Sequence, residues 1–180
     1  RIFKKIEKES KFVVSVKKDN FFSASGVINN ISKIQSDTMR ISLELEPIVV
    51  GKAIRLDNIY YDYNKSDIRA DAKPSLDVLV KLMKENPGIH IELSSHTDSR
   101  GGDAFNLKLS QKRAQSAVDY IIAQSLGSDR IYAKGYGETK PLNKCKNNIK
   151  CTDEEYQVNR RTEFKVVKVI NELPPTTVNP

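Results

Sequence analysis

The sequence predicts an α/β sandwich, with helices on one face of a mixed sheet and a small β-rich segment ahead of it. Three observations predict this. Short runs near both ends of the chain alternate apolar and polar residues, the period of a half-buried strand. Two long middle stretches instead space their apolar residues at helical intervals. From Ile54 onward the two patterns take turns, giving β-α-β-α-β-loop-β, and helix-linked strands are expected to run parallel through right-handed crossovers.

The first fifty residues read as two to four antiparallel strands. Met39, Ile41, Leu43 and Leu45 alternate with Arg40, Ser42, Glu44 and Glu46, and Phe12, Val14 and Val16 repeat the pattern more briefly. FFSASGVINN and SKIQSD supply turn residues between them. Residues 1–50 are therefore expected to be a β-rich segment, the end of a preceding sandwich-like domain, with the boundary just beyond Pro47. Because the chain starts at Arg1, it is expected to be a mature or excised fragment.

The second unit is expected to cover residues 51–171. RLDNIYYDY is rich in β-formers, and Pro74 suits the first turn of a helix whose Leu76, Leu79, Val80 and Met83 form a core stripe. Ile89, Ile91 and Leu93 then alternate as a strand. A second helix, from about Ala104 to Gln124, buries Ala114, Ala117, Val118, Ile121 and Ile122 and stops at Gly127. RIYAKGYG is a short strand, and RTEFKVVKVI, with Phe164, Val166 and Val169 alternating only loosely, is the last. Residues 172–180, ending LPPTTVNP, read as an extended tail.

Composition narrows the function classes. A chain of 180 residues with 38% hydrophobic and 29% charged residues is that of a globular protein, and no apolar run is long enough to span a bilayer. The formal charge of +7 favours polyanionic partners by steering without naming one. Aromatic and basic residues do not interleave as they do where bases stack, so no nucleic-acid partner is expected. Cys145 and Cys151 lie in a polar stretch without a nearby histidine, which argues against zinc and suits a disulfide closing a surface loop in an oxidising compartment; two unpaired surface thiols are the alternative. No cofactor or metal is expected.

The stretch HTDSRGGDAFNLKLSQKRA, residues 96–114, is the most informative. Asp98 lies where a strand ends, Gly101 and Gly102 permit a tight turn, and the helix beyond presents free N–H groups. Asn106 and Arg113, almost two helical turns apart, project from nearly one face with Leu109 and Ser110 between them. If the loop folds back, an anion stands beside a fixed cation, an arrangement suited to a zwitterion: an Arg fork grips a carboxylate while Asp accepts from an ammonium group. Two structural alternatives stay open, that Asp98 and Arg113 pair with each other or that Arg113 holds the loop.

The runs IYYDYNKSDI, SSHTDSRGGDAFNLKLSQKRAQSAVDYI, RIYAKGYGETKP and NRRTEF, in this order, resemble the C-terminal domain shared by OmpA, Pal and MotB-type proteins, over roughly residues 54–169. The β-stretch ahead of them and the two-cysteine loop are similar to outer-membrane OmpA-family proteins of Bacteroidetes-type bacteria. The resemblance implies non-covalent binding of peptidoglycan through the diaminopimelate of its stem peptide, in a periplasmic domain tethered to the outer membrane and anchoring it to the wall. It places the family's motifs on Thr97 and Asp98, on Asn106, Leu109 and Arg113, on Asn159, Arg160 and Arg161, and on Tyr61 and Asp62. Asp98 would take the ammonium group and Arg113 the carboxylate. Within the arginine pair the resemblance favours Arg161, which could equally be a structural clamp. Ser95 and Asn64 depart from the Gly and Asp of many relatives, and neither change removes a charged contact.

Ser94, Ser95, His96 and Asp98 contain the residue types of a catalytic triad, but neighbours on one strand point to opposite faces and cannot assemble one. No enzymatic activity is expected. The competing expectation is a partner-protein or polyanion-binding periplasmic module that uses the basic surface.

Overall fold

The computed structural model describes residues 12–28, 41–61 and 64–170. Two compact units divide the chain, Arg1–Ile48 and Val49–Pro180.

In the first unit, β1 (Phe12–Val16) and β2 (Ala24–Ile28) pair antiparallel, Phe12 opposite Ile28 and Val16 opposite Ala24. The expected strand over 39–46 does not form where the chain is described. Residues 41–46 belong to no ladder, although Pro47 bridges Phe21, and Met39 and Arg40 lie outside the described residues. Ile41 and Leu43 instead lay their side chains against Gly26. This segment has a backbone tie at its far end, where Glu46 O accepts from Phe22 N at 2.8 Å; alternation marks two faces of an extended chain, and one such bond does not make a ladder.

The second unit holds a four-stranded sheet in the order β3 (Ala53–Leu56), β6 (Thr162–Val169), β4 (Ile89–His96), β5 (Ile131–Gly137). Strands β4 and β5, joined by α2 (Asp103–Ala123), are parallel, while β6 runs antiparallel to both β3 and β4. The sheet is mixed, as expected. The first strand is shorter than RLDNIYYDY suggested, ending at Leu56 before a turn in which Asn58 has φ 60°. The loose alternation of the last strand also has a cause. Val166 pairs with Ile91 but Lys168 with His90, so an irregularity at Val167 shifts the register.

Helix α1 (Lys73–Glu85) begins with Pro74 in its first turn and buries the expected Leu76, Leu79, Val80 and Met83. Helix α2 crosses β4 and β5 with Ala114, Ala117, Val118 and Ile121 buried, and Ile122 is only half-buried. A third helix, α3 (Asp153–Asn159), lies inside the stretch expected to be loop. Its start is a capping box, in which Thr152 accepts from Glu155 N and Glu155 accepts from Thr152 N.

The close seat of α2 depends on Gly135. A Cβ there would fall 2.3 Å from the Gln111 backbone nitrogen and 2.7 Å from Ser110 Oγ. The same contact is stitched by Gln111 Oε1, which accepts from Gly135 N at 2.7 Å, and by Ser110 Oγ, which accepts from Gly137 N at 2.8 Å. Since the obstructing atom is helix backbone, Gly135→Ala must push helix and sheet apart. We expect a loss of about 1–3 kcal/mol in urea denaturation. An unchanged midpoint would show that the helix gives way without cost.

Candidate functional site

The end of β4 delivers Asp98 to the start of α2. Thr97 N donates to Gly137 O at 2.9 Å, extending the β4–β5 contact one residue past the strand. The chain then turns through Gly101, whose φ of +102° suits glycine, and enters α2 behind Gly102. Asn106, buried in the first turns of the helix, closes this loop. Its Nδ2 donates to the carbonyls of Asp98 (3.3 Å) and Arg100 (3.1 Å) and to the Glu138 carboxylate. The amide read as ligand-facing therefore spends its donors holding the loop.

The Asp98 carboxylate is buried, and its ion pairs are with Arg100 and Arg160, so direct pairing with Arg113 is not what the structure has. Arg100 approaches with its backbone N (2.9 Å) and its Nη2 (3.0 Å), and Arg160 Nη1 stands 2.5 Å from Oδ2. Burial opposes the charge of Asp98, but the bonds from Arg100 and Arg160 outweigh it and hold the carboxyl below its ordinary value. Arg100 reaches onward to Asp153 at 2.8 Å and lies over the Tyr156 ring, with 4.5 Å to the centroid.

Arg113 is buried on α2. Its Nε donates to Lys65 O at 2.9 Å, its guanidinium lies over the Tyr61 ring at 4.8 Å, and Tyr61 Oη donates to the Arg113 carbonyl at 3.1 Å. Burial pushes the Tyr61 hydroxyl up to about 12, against Thr162 and the Arg113 charge. Burial likewise lowers the pKa of Arg113, partly offset by Tyr61, with Arg160 adding to the effect.

One cavity of about 620 Å³ is lined by Tyr61, Thr97, Asp98, Asn106, Leu109 and Arg113. Six of the eight expected ligand residues thus share a single wall. Asp62 lies outside the described residues. Arg161 is elsewhere: its Nε is 2.5 Å from Glu163 Oε1, and its other nitrogens donate to the Asn159 (3.3 Å) and Lys140 (3.1 Å) carbonyls. It lines a separate small cavity with His96, Thr162, Tyr61 and Arg113. Its neighbour Arg160 lines both that cavity and the Asp98 cavity. Within the arginine pair the resemblance favoured Arg161, but it is Arg160 that meets Asp98, while Arg161 is turned to Glu163. Sequence reasoning passed over Arg100, whose only signal was a cation two residues after the aspartate.

His96 is buried, stacked on Tyr136 with 5.3 Å between ring centroids, and its Nε2 lies 3.4 Å from Glu163 Oε2. Cys145 and Cys151 are joined by a disulfide, their Cα atoms 6.0 Å apart. Within the loop they close, Asn147 Nδ2 donates to Asp103 Oδ1 at 3.0 Å, tying that loop to the first residue of α2.

Residues 60–152, just over half of the chain, match the OmpA family. The chain belongs to the OmpA family. Among its relatives, the outer membrane porin F of Pseudomonas fluorescens is 32% identical over 65% of this chain and 35% of its own length. The peptidoglycan-associated lipoprotein of Rhizobium meliloti is 33% identical over 53% of each chain. The cell wall anchor of the T6SS from Pseudomonas aeruginosa superposes with a TM-score of 0.53 at 25% identity, over 66% of this chain and 80% of that one. The chain thus spans about a third to a half of the two curated relatives' length. No helix among the described residues is long and apolar enough to cross a membrane.

Proposed function

We propose that this OmpA-family chain binds peptidoglycan without covalent chemistry, gripping the diaminopimelate of the stem peptide between Asp98 and Arg113. The observation that carries the reading is the shared cavity: a buried carboxylate and a buried guanidinium open onto one space of about 620 Å³. An amino-acid head group has the complementary pair of charges. Tyr61 and Leu109 would flank its aliphatic part, while Thr97 and Asn106 hold the loop that carries Asp98. Asp62 is proposed to join the site on the strength of the sequence motif alone, and Arg161 to serve it indirectly by fixing the strand that follows Arg160. The names of the relatives point the same way, since one is peptidoglycan-associated and another a cell wall anchor.

The whole protein would then sit at the outer membrane with this domain in the periplasm, where a disulfide persists. A clamp on so small a ligand is weak, because ordering both partners costs free energy. A sacculus repeats the stem peptide, so many weak contacts on a tethered protein still hold membrane and wall together. The reading is of a binding module and not an enzyme. His96, the histidine nearest the cavity, is packed against Glu163 and Tyr136, and burial is the main cause of its lowered pKa.

Co-sedimentation with insoluble, diaminopimelate-containing sacculi tests this. We expect pelleting that persists at high salt and is reversed by free diaminopimelate, since a partly buried clamp is screened little. Pelleting abolished by salt alone would assign binding to the basic surface; release of soluble wall fragments would indicate catalysis.

A further inference from the structure

The zwitterion reading leaves a conflict inside the site. An ionised carboxylate offers about four lone-pair positions. Those of Asp98 are already engaged by Arg100 N, Arg100 Nη2 and Arg160 Nη1, with Arg100 Nε sharing both oxygens at 3.3 and 3.4 Å. An ammonium group cannot add itself to a carboxylate so crowded; it must take a place from one of these donors.

The three are not equally removable. The backbone N–H of Arg100 is fixed by the turn. The Arg160 side chain is 30% exposed and is braced by Gln157 through both Nε and Nη2. The Arg100 side chain is 50% exposed, sits at 3.0–3.4 Å, and has a second seat already built: the Asp153 carboxylate at 2.8 Å and the face of Tyr156. If its fork lets go of Asp98, the guanidinium stays paired and stacked on α3.

We propose that Arg100 is a built-in competitor for the ammonium group of the ligand, and that Asp153 sets how strongly it competes. The inference rests on the zwitterion reading above. Binding is then an exchange in which the guanidinium occupies Asp98 in the free protein and yields it to the ammonium group. It thereby rejects ligands that lack a cationic nitrogen, since these leave Arg100 in place. The residue supplies no attraction to the bound amino acid; it tunes affinity downward and selectivity upward.

The test is a two-residue cycle read by NMR titration of the 180-residue chain with free diaminopimelate. Arg100→Ala keeps the backbone donor and Arg160 on Asp98, so the carboxylate stays oriented, and binding is expected to tighten about threefold or more. Asp153→Asn, at a residue whose side chain is 81% exposed, is expected to weaken binding about twofold. In the Arg100→Ala background, Asp153→Asn should have no effect, because its influence passes through Arg100. A general electrostatic effect of either charge would persist in both backgrounds. If the parent chain binds diaminopimelate and Arg100→Ala binds equally or less well, or the Asp153 effect survives without Arg100, the inference is wrong and the site assignment stands. If the parent does not bind at all, both fall together.

Discussion

Removing either end of the clamp is expected to weaken binding to isolated walls by about 2–5 kcal/mol, between about thirtyfold and a few thousandfold. Arg113→Ala is the cleaner experiment. It deletes the guanidinium while leaving Asp98 with both of its arginine partners, so the loop it anchors keeps its ties. The variant loses the group proposed to face the ligand carboxylate, and with it contacts that include the bond to Lys65 O and the stack on Tyr61. Arg113→Lys should recover only part of the binding, since an ammonium keeps the charge but not the planar fork. Asp98→Asn preserves shape and removes the anion, and it leaves two guanidinium groups beside a neutral amide, so part of its effect will appear as lower stability. Measuring the urea midpoint of each variant separates the two effects. Wall binding equal to that of the parent in a folded Arg113→Ala would refute the site assignment.

The second large effect is on stability and lies at Glu163. Its carboxylate meets Arg161 Nε at 2.5 Å, with His96 Nε2 at 3.4 Å, the outer edge of hydrogen-bonding reach. His96, and Arg161 against the burial that opposes them, hold the Glu163 carboxyl down to about 2 from an ordinary 4.5. Because the folded-state pKa lies below the unfolded one, the stabilisation is present in full above about pH 4.5. It is lost as pH falls towards 2. A displacement of this size corresponds to roughly 3 kcal/mol. The lowered pKa of His96, set first by its burial, works in the same direction: the unfolded chain protonates more readily below pH 6.5. Glu163→Gln leaves the buried Arg161 without its anion and is expected to cost about 3–5 kcal/mol at neutral pH. That deficit should shrink as both proteins are taken from pH 7 to pH 3. An equal gap in urea midpoints at the two pH values would mean that Glu163 holds no displaced proton equilibrium.

These two clusters differ in how far the sequence reveals them. Asp98, Asn106 and Arg113 could be grouped in advance because a strand end, a glycine turn and helical spacing are local rules. Each constrains neighbours within a few turns of chain, and the cavity indeed gathers all three. The core stripes of α1 and α2 were legible for the same reason. Helix α3 was missed although its capping box, Thr152 followed by Glu155, is itself a local signal. Seven residues beside a cysteine loop are too few to show a periodicity, so a polar stretch read as loop.

By itself the sequence determined the order of the main strands and the two long helices of the second unit, α3 excepted, and that the Asp98 loop and the Arg113 face of α2 lie close together. Those follow from side-chain period and turn chemistry, which act over short separations. Only the tertiary structure decided that β6 inserts between β3 and β4 and that residues 41–46 join no ladder, because backbone pairing depends on which distant strand offers its edge. It also decided which arginine serves which acid. Arg160 and Arg161 are adjacent in the chain, yet one reaches Asp98 and the other Glu163. Arg160 caps the end of α3 and Arg161 leads into β6, so the turn between helix and strand sends the two side chains apart, and only the fold determines what each one meets.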